Sequence, residues 1–371
     1  MKLSQLLSIG FLILVSTTMS PAFARDANKT QYPIVFAHGM AGFDDILGYD
    51  YWGDDYGVYV LDTCQWGEYY CNPDIHSGQE SFVASVTPFA GSEQRGYELY
   101  QDIEGYLASS GHSYVNIIGH SQGGLDLRKA AKLLQDNRGY RVVKYGISIS
   151  SPHRGSPIAQ YVLNLQPGVQ SVLATLADYF GNTIYSGGND AIAALKQLVN
   201  HDFDPNDGVT TGTYAFNQNY PAGTANIERS RSFLTGQDNG NMNPALYLLK
   251  ELWTEIDGDG YASYDANGDG ALGTGDGDAS DNDDDGLVGI NSQQMGYRLE
   301  YWECYGCLDY VWAQSNTGYV GDLNAPNQTQ MTSHAWKINQ DHLDVIGVPP
   351  DTFDEMEFYA AITDFIADNG F

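Results

Sequence analysis

Residues 119–123 read Gly-His-Ser-Gln-Gly, which places one serine between two glycines. The apolar segment 115–118 before it predicts a strand, and the segment from Leu125 onward predicts a helix. A tight turn between the two would force unusual backbone angles on Ser121, and glycine flanks avoid clashes with the crossing strand and helix. The N–H of Gln122, at the helix start, is then free to donate to a developing negative charge. The pattern predicts Ser121 as a nucleophile and Gln122 as an oxyanion donor.

A second oxyanion donor should come from the loop after an early strand. Residues 33–37 predict such a strand, and His38, Gly39 and Met40 follow it. The N–H of Met40 is the candidate donor. An ordinary turn with a structural His38 is the alternative, and the pairing with the serine turn favours the donor.

The elements that must position these groups alternate between strand and helix. The predicted order is a strand at 33–37, a helix at 93–109, a strand at 115–118, a helix at 125–134 and a strand at 145–149. Such alternation predicts an α/β fold, a mostly parallel sheet with helices on both faces. Residues 152–235 break the alternation and predict a helical lid or cap inserted over the sheet.

Five segments together resemble the secreted bacterial true lipases of the Pseudomonas and Burkholderia type. They are residues 32–44, 115–124, 151–156, 285–289 and 342–344. The resemblance runs from about residue 32 to residue 346. It implies an α/β-hydrolase fold, a Ser-Asp-His triad, a lid and a structural calcium ion.

The general base is sought among the histidines late in the chain, because a triad in this fold runs Ser, then Asp or Glu, then His. His334 and His342 follow the acidic region, and residue types alone leave both open. The run 340–344, Gln-Asp-His-Leu-Asp, resembles the histidine signature of these lipases. The resemblance therefore favours His342.

Two Asp-Gly turns followed by apolar residues are candidates for the triad acid, at Asp207 and Asp285. Asp285 is preferred, because its Leu-Val-Gly continuation suits a strand end that presents a carboxylate to His342. The alternating acids at positions 281, 283 and 285 also have calcium-loop spacing, which would make Asp285 a metal ligand instead.

Calcium is expected at two places. In the resembling lipases a carboxylate two residues after the catalytic histidine binds calcium, and Asp344 stands there. We choose Asp257 as its partner carboxylate, with Glu251 as the rival.

The second place is a run with the spacing of an EF-hand loop, Asp265, Asn267, Asp269 and Gly270, with Asp276 at the twelfth position. Residues 251–285 hold 12 acidic side chains and no Lys or Arg, so we expect this acidic insertion to bind cations. A solvated acidic loop is the alternative.

The charge balance narrows the classes of partner. The 371-residue chain has 47 Asp and Glu against 17 Lys and Arg, a formal net charge of −30. Nucleic acids and anionic membrane surfaces repel such a polyanion. With 42% hydrophobic residues the chain has enough apolar material for a packed core.

Residues 1–24 predict a signal peptide, with Lys2, an apolar run at 6–15 and a small-x-small cleavage site ending at Ala24. Residues 25–371 would form the mature catalytic domain, secreted through the periplasm. The apolar run is shorter than the roughly 20 residues of a spanning helix, so no stable membrane insertion is expected.

Four cysteines form two local pairs, Cys64 with Cys71 and Cys304 with Cys307. Oxidising conditions after export favour disulfides, with three possible connectivities. A zinc site or a redox motif at residues 304–307 is the alternative.

Within the predicted insertion, apolar residues recur on one helical face at positions 169, 172, 173, 176 and 180. A helix packed in the core would show the same pattern, and the resemblance favours a mobile lid.

We therefore predict a secreted serine hydrolase, with triacylglycerol lipase favoured and a lipid or ester substrate met at an oil–water interface. A secreted esterase or polyester depolymerase is the nearest alternative, and a calcium-dependent surface-binding protein is the alternative from another class. Some of the resembling lipases need a dedicated secretion chaperone, and the sequence leaves that partner open.

Overall fold

A computed structural model describes the parts of the chain that build the sheet and its surroundings. The described residues are 29–40, 42, 79–156, 158–159, 191–199, 212–237, 241–247, 284–302, 310–313, 318–324, 337–348, 353 and 355–371.

A seven-stranded sheet forms the centre of the fold, in the order β2-β1-β3-β4-β5-β6-β7. The strands are β1 (Ile34–Ala37), β2 (Ser81–Val83), β3 (Val115–His120), β4 (Val143–Ile149), β5 (Ile227–Phe233), β6 (Tyr297–Trp302) and β7 (Tyr310–Ala313). Every neighbouring pair is parallel except β6 with β7, which is antiparallel. The carboxyl ends of the parallel strands therefore meet at one edge of the sheet.

Six helices are described: α1 (Ser92–Ser110), α2 (Gly123–Arg138), α3 (Ala191–Gln197), α4 (Thr213–Asn219), α5 (Pro244–Tyr247) and α6 (Glu355–Asp368). Both long helices α1 and α2 end at a left-handed glycine, at φ 79° and 73°. Glycine adopts this conformation without a Cβ penalty, and its N–H satisfies a carbonyl of the last turn.

The two faces of the sheet carry separate apolar cores, as the alternation along β1 shows. Ile34 and Phe36 pack with residues of α6, whereas Val35 and Ala37 pack with residues of α1 and α2. Side chains alternate across a strand, so a continuously apolar strand must be covered on both faces. The predicted α/β arrangement with helices on both faces is confirmed.

The early elements match their predicted positions to within a few residues, but the predicted insertion at 152–235 needs correction at its end. This range contains β5, which pairs with β4 and β6 inside the sheet. Its sequence, Ile-Glu-Arg-Ser-Arg-Ser-Phe, alternates weakly in polarity and lacks the apolar run of β3, so the strand was not recognised. Any insertion over the sheet ends before residue 227.

Several predictions lie outside the described residues. They concern the signal peptide, the four cysteines, the helical face at 169–180, the rival residues Asp207 and His334, and the acidic insertion at 251–283. Within the described part of the chain, none of the helices has the length and apolar character needed to cross a bilayer.

Candidate active site

Ser121 lies in the turn between β3 and α2 with φ 53°, a left-handed conformation that residues other than glycine seldom adopt. Its N–H donates to the carbonyl of Ile149, 2.9 Å away. The flanking glycines are required by close packing, because a Cβ on Gly119 would lie 2.6 Å from the backbone of Gly123, and one on Gly123 would overlap the carbonyl of Ala37. The backbone itself therefore fixes the direction of the Ser121 hydroxyl.

His342 connects this serine to a carboxylate. Its Nε2 lies 2.9 Å from Ser121 Oγ, and its Nδ1 lies 2.8 Å from Asp285 Oδ2. The three side chains are almost completely shielded, with exposed fractions of 9% for Ser121, 3% for His342 and 0% for Asp285. The structure thus brings together the three residues singled out in the sequence, in the order hydroxyl, imidazole, carboxylate.

Asp285 occupies a tight turn rather than the end of a sheet strand that its Leu-Val-Gly continuation had suggested. Its N–H donates to Val288 O at 3.2 Å, and Gly286 completes the turn at φ 91°. The N–H groups of Leu287 and Val288 donate to Asp285 Oδ1 at 3.1 and 2.8 Å. The backbone N–H of His342 also donates to the carbonyl of Asp285 at 2.9 Å. Backbone and side-chain bonds together therefore fix the position of His342 relative to Asp285.

The loop after β1, which carries the second candidate oxyanion donor, is anchored by Arg95 of α1. This fully buried guanidinium donates to the carbonyl of His38 at 2.5 Å and to Asp126 of α2 at 2.8 Å. Burial, followed by the charge of Arg95, lowers the pKa of His38 to about 3, so His38 is neutral. Met40 follows this anchored turn and packs, partly buried, against an apolar cluster.

Gln122 is the N-cap of helix α2, so its N–H lies outside the ladder of bonds within the helix. Its side chain is buried and donates to the carbonyl of Ala90 at 2.8 Å, which ties the start of α2 to the chain just before α1. The N–H of Gln122 therefore lies at a fixed position directly after Ser121. The candidate donor roles of Gln122 and Met40 rest on their positions in the chain.

His120, directly before the serine, supports the backbone of His342. Its Nε2 lies 3.0 Å from the carbonyl of His342, and the two ring centroids are 4.9 Å apart. Burial, followed by the charge of His342, holds the pKa of His120 well below its ordinary value. The neutral ring therefore donates from Nε2 to that carbonyl.

An apolar cluster lies beside the loop that carries Met40. It is built from Leu125, one helical turn after the nucleophile, together with Ala159, Leu195, Leu198 and Phe216, and Met40 and Tyr220 pack against it. Most of its members come from α3, α4 and residue 159, which belong to the range predicted as the lid or cap. Its five members are 0–7% exposed, so the cluster is a small core that packs the loop of Met40 against these segments.

Of the predicted calcium ligands, the structure describes Asp344 alone. Asp344 is buried at 3% exposure, and its Oδ2 accepts the N–H of Asp341 at 2.9 Å. Asp257, Asp265, Asn267 and Asp269 lie outside the described residues. Among the residues that are described, no three His, Cys, Asp or Glu side chains are grouped so that they could share a metal ion.

A mostly parallel sheet, a serine in a strained strand-to-helix turn, and a histidine bridging that serine to an aspartate together define the α/β-hydrolase fold. Comparison with solved structures agrees with this class. Lipase 1 from Pelosinus fermentans superposes with a TM-score of 0.51 at 17% sequence identity, over 91% of this chain and 98% of that one.

Sequence comparison relates the chain to bacterial triacylglycerol lipases, which confirms the resemblance indicated by the motifs. It is 32% identical over 233 residues to triacylglycerol lipases from Pseudarthrobacter phenanthrenivorans and Burkholderia plantarii, covering 59% of this chain and 63% and 56% of those proteins. A triacylglycerol lipase from Vibrio cholerae is 32% identical over 209 residues, 53% of this chain and 56% of that one. The chain thus spans less than two thirds of the length of these relatives. No family model matches it.

Sequence reasoning missed the residues that support the triad from behind. His120 occupies a variable position of the serine motif, and Arg95 lies on a helix with no motif of its own. Thr235 and Gln293, which contact Asp285, come from segments with no recognised pattern. A buried polar residue just beyond a strand end is the one signal that could have pointed to Thr235, provided β5 had been recognised.

Proposed function

We propose that this protein hydrolyses carboxylic esters, with triacylglycerols as the favoured substrates and Ser121, His342 and Asp285 as the triad. The observation that carries the proposal is the continuous hydrogen-bond chain from Ser121 Oγ through the imidazole to Asp285 Oδ2, at 2.9 and 2.8 Å. The similarity to triacylglycerol lipases supports the same reaction class.

In this mechanism Ser121 Oγ attacks the ester carbonyl while His342 Nε2 takes its proton. Asp285 accepts the hydrogen bond from Nδ1–H, which keeps Nε2 free as the base and stabilises the imidazolium that forms. The imidazolium then gives its proton to the leaving alcohol, and an acyl-enzyme remains. Water, deprotonated by the same histidine, releases the acid and restores Ser121.

The oxyanion of each tetrahedral intermediate would be bound by the N–H groups of Gln122 and Met40. Gln122 is held by the start of α2 and Met40 by the loop that Arg95 anchors, so neither donor must reorganise during the reaction. Loss of one such donor costs about 3–4 kcal/mol of transition-state stabilisation in comparable sites.

The choice of an acylglycerol substrate is supported by the similarity to bacterial triacylglycerol lipases. We propose that residues from the lid or cap range contribute to the substrate site and that the substrate is met at an oil–water interface. A secreted esterase or polyester depolymerase remains the second candidate, because the same triad serves both.

We also propose that the protein is exported, with residues 1–24 as the signal peptide and disulfides among the four cysteines. The sequence patterns at the N-terminus and the paired cysteines support this. A secretion chaperone of the kind used by some resembling lipases would be a partner in that route.

A structural calcium ion is proposed at Asp344, because a buried carboxylate suits a hard cation that prefers oxygen ligands. Asp257 is the partner proposed from sequence, and the acidic run at 265–276 is a second site. The ion would stabilise the loop that carries His342. Binding to the native state alone adds about 2.7 kcal/mol at a hundredfold excess over Kd.

The calcium proposal predicts a fall in melting temperature with chelator, and recovery with Ca²⁺ rather than Mg²⁺, whose strict octahedral preference suits these loops poorly. Metal analysis should recover more than one ion per chain. An unchanged melting temperature after chelation would show that no calcium ion stabilises the fold.

The test of function compares the purified wild type with Ser121→Ala on emulsified long-chain triacylglycerols and on soluble short-chain esters. We expect hydrolysis of both by the wild type, faster on the emulsion, and a loss of at least about 10⁴-fold in Ser121→Ala. Ser109→Ala removes an exposed hydroxyl that donates to Tyr106 O, and this matched control should leave both rates unchanged.

Higher rates on soluble short esters would favour the esterase, and activity on solid polyester would favour the depolymerase. Absence of hydrolysis on every ester, together with calcium-dependent adsorption to surfaces, would favour the binding protein and reject the enzyme.

A further inference from the structure

A chain of buried hydroxyl and amide groups connects Asp285 to the ends of β4 and β5. Thr235, two residues after β5, donates from Oγ1 to Asp285 Oδ2 at 2.8 Å. The same oxygen accepts from His342 Nδ1, also at 2.8 Å. The hydroxyl of Thr235 therefore contacts the carboxylate oxygen through which Asp285 meets the base.

Ser150 lies at the far end of this chain, one residue after β4. Its Oγ is 2.7 Å from Thr235 Oγ1, and both residues are completely buried. Because the single proton of Thr235 goes to the carboxylate, Ser150 must donate to Thr235. Two hydroxyl dipoles thus line up toward the negative charge of Asp285.

The backbone conformation of Ser150 is strained, so the position of its hydroxyl costs conformational free energy. Its φ of 53° equals that of Ser121, and these two are the non-glycine residues with positive φ among the described residues. A non-glycine residue in the left-handed region costs on the order of 1–3 kcal/mol and persists where its surroundings require it. At Ser121 the strain presents the nucleophile, and at Ser150 it presents a hydroxyl to the chain behind the acid.

Gln293 fixes the orientation of Thr235. Its amide pairs with the main chain of that residue, accepting from Thr235 N at 2.7 Å and donating to Thr235 O at 2.9 Å. The same Nε2 also donates to Val288 O at 2.9 Å and approaches Asp285 Oδ2 at 3.3 Å. Gln293 therefore joins the end of β5 to the turn that carries the acid.

We propose that Thr235, supported by Ser150 and Gln293, is a positioning residue for the reaction proposed above. It holds Asp285 Oδ2 in line with His342 Nδ1, and so keeps the imidazole in the orientation and tautomer in which Nε2 faces Ser121. With the N–H groups of Leu287 and Val288 and the imidazole, Thr235 gives Asp285 four donors, which stabilise its charge in a site without solvent contact. This inference rests on the proposed function.

The test measures kcat and KM for ester hydrolysis by the full-length protein with Thr235→Val, which keeps the shape and removes the donor. Loss of a hydrogen bond to a charged group should lower kcat by roughly 10- to 100-fold and leave KM unchanged. Thr235→Ser, which restores the hydroxyl, should recover most of the rate. Thr363→Val on α6, which removes a buried hydroxyl bonded to Tyr359 O, is the matched control and should leave kcat unchanged.

A double-mutant cycle separates positioning from a general effect on the fold. In an Asp285→Asn background the carboxylate is gone, so Thr235→Val should produce no further fall in kcat. Ser150→Gly provides an independent variant that keeps the fold, since glycine adopts φ 53° without strain. It should lower kcat severalfold while the melting temperature changes little.

Two results would overturn the inference. One is a kcat for Thr235→Val and Ser150→Gly within about threefold of the wild type while Asp285→Asn is severely impaired, and the other is an equal effect of Thr235→Val with and without Asp285. In both cases hydrolysis by the wild type and its loss in Ser121→Ala would show that the proposed function itself stands. Failure of the wild type to hydrolyse any ester would instead reject the proposed function and with it this role for Thr235.

Discussion

The nucleophile turn and the acid–base loops are held in place by different forces. Ser121 is positioned by local backbone geometry, with φ 53° and glycines packed against β1 and α2. Asp285 and His342 are positioned by hydrogen bonds from residues distant in sequence, such as Thr235 and His120. The first arrangement depends on sterics and the second on matched donors and acceptors, so different substitutions should break each.

The largest effect is expected on the hydrogen-bonded side. Asp285→Asn preserves shape but presents an amide to His342 Nδ1, which favours the wrong tautomer, so kcat should fall by about 10⁴-fold. Steady-state kinetics on a soluble ester checks this. Asp207→Asn, the rival acid in the sequence, is the control and should leave kcat unchanged, whereas the reverse pattern would move the triad acid to residue 207.

At the nucleophile turn, where sterics dominate, Gly123→Ala should lower the stability of the fold. It removes no hydrogen-bonding group. The added methyl would overlap the carbonyl of Ala37 and crowd that of His38, so β1 and α2 must move apart. Overpacking of this kind costs about 1–3 kcal/mol of the free energy of unfolding, measured by urea titration.

Gly105→Ala is the matched control, because a Cβ there meets nothing within 4 Å. In the middle of α1 it should be neutral or stabilise by up to about 1 kcal/mol. If both variants were equally stable, close packing would not be what requires glycine at the nucleophile turn.

The smallest effect concerns the stability contributed by the buried histidines around the turn. Burial first, then nearby positive charge, lowers the pKa of His38, His120 and His153 well below 6.5. Below pH 6.5 these histidines are protonated in the unfolded chain but stay neutral in the folded chain. The free energy of unfolding therefore falls as the pH falls. Asp126, whose pKa burial raises to about 6, has the opposite effect because its folded form takes up a proton first.

We expect the three histidines to outweigh Asp126, so the protein should be less stable at pH 5.5 than at pH 7. Each histidine accounts for about 1 kcal/mol over this interval, so His153→Gln should lose about 1 kcal/mol less than the wild type does. Urea titrations of both proteins at the two pH values check this. An equal loss in the two proteins would show that His153 takes up a proton in the folded state.

The difference between the two regions also explains what the sequence could reveal. A strand, a Gly-x-Ser-x-Gly turn and a helix are local in sequence, so β3, Ser121 and α2 were predicted within a few residues. Pairing across the sheet is not local. The Arg and Ser residues of β5 give it a polar sequence that does not predict a strand, although the strand pairs with β4 inside the sheet. For the same reason the contact of Thr235 and Gln293 with Asp285, across 50 and 8 residues, has no signature in the chain.

His342 and Asp285 have no local sequence pattern as distinctive as that of Ser121. Their prediction depends on the order of triad residues along the chain and on the resemblance to bacterial true lipases. The structure adds the hydrogen bonds that place them, and it replaces the expected strand end at Asp285 with a turn closed by Gly286.

The proposed role of Ser121 as the nucleophile of an ester hydrolase is tested most directly by covalent labelling. The full-length protein is incubated with a p-nitrophenyl alkylphosphonate, and its peptides are analysed by mass spectrometry. We expect one phosphonyl group per chain, located on Ser121, with activity lost in proportion to labelling and no label on Ser121→Ala. An unlabelled Ser121, or full ester hydrolysis by a protein labelled there, would contradict it.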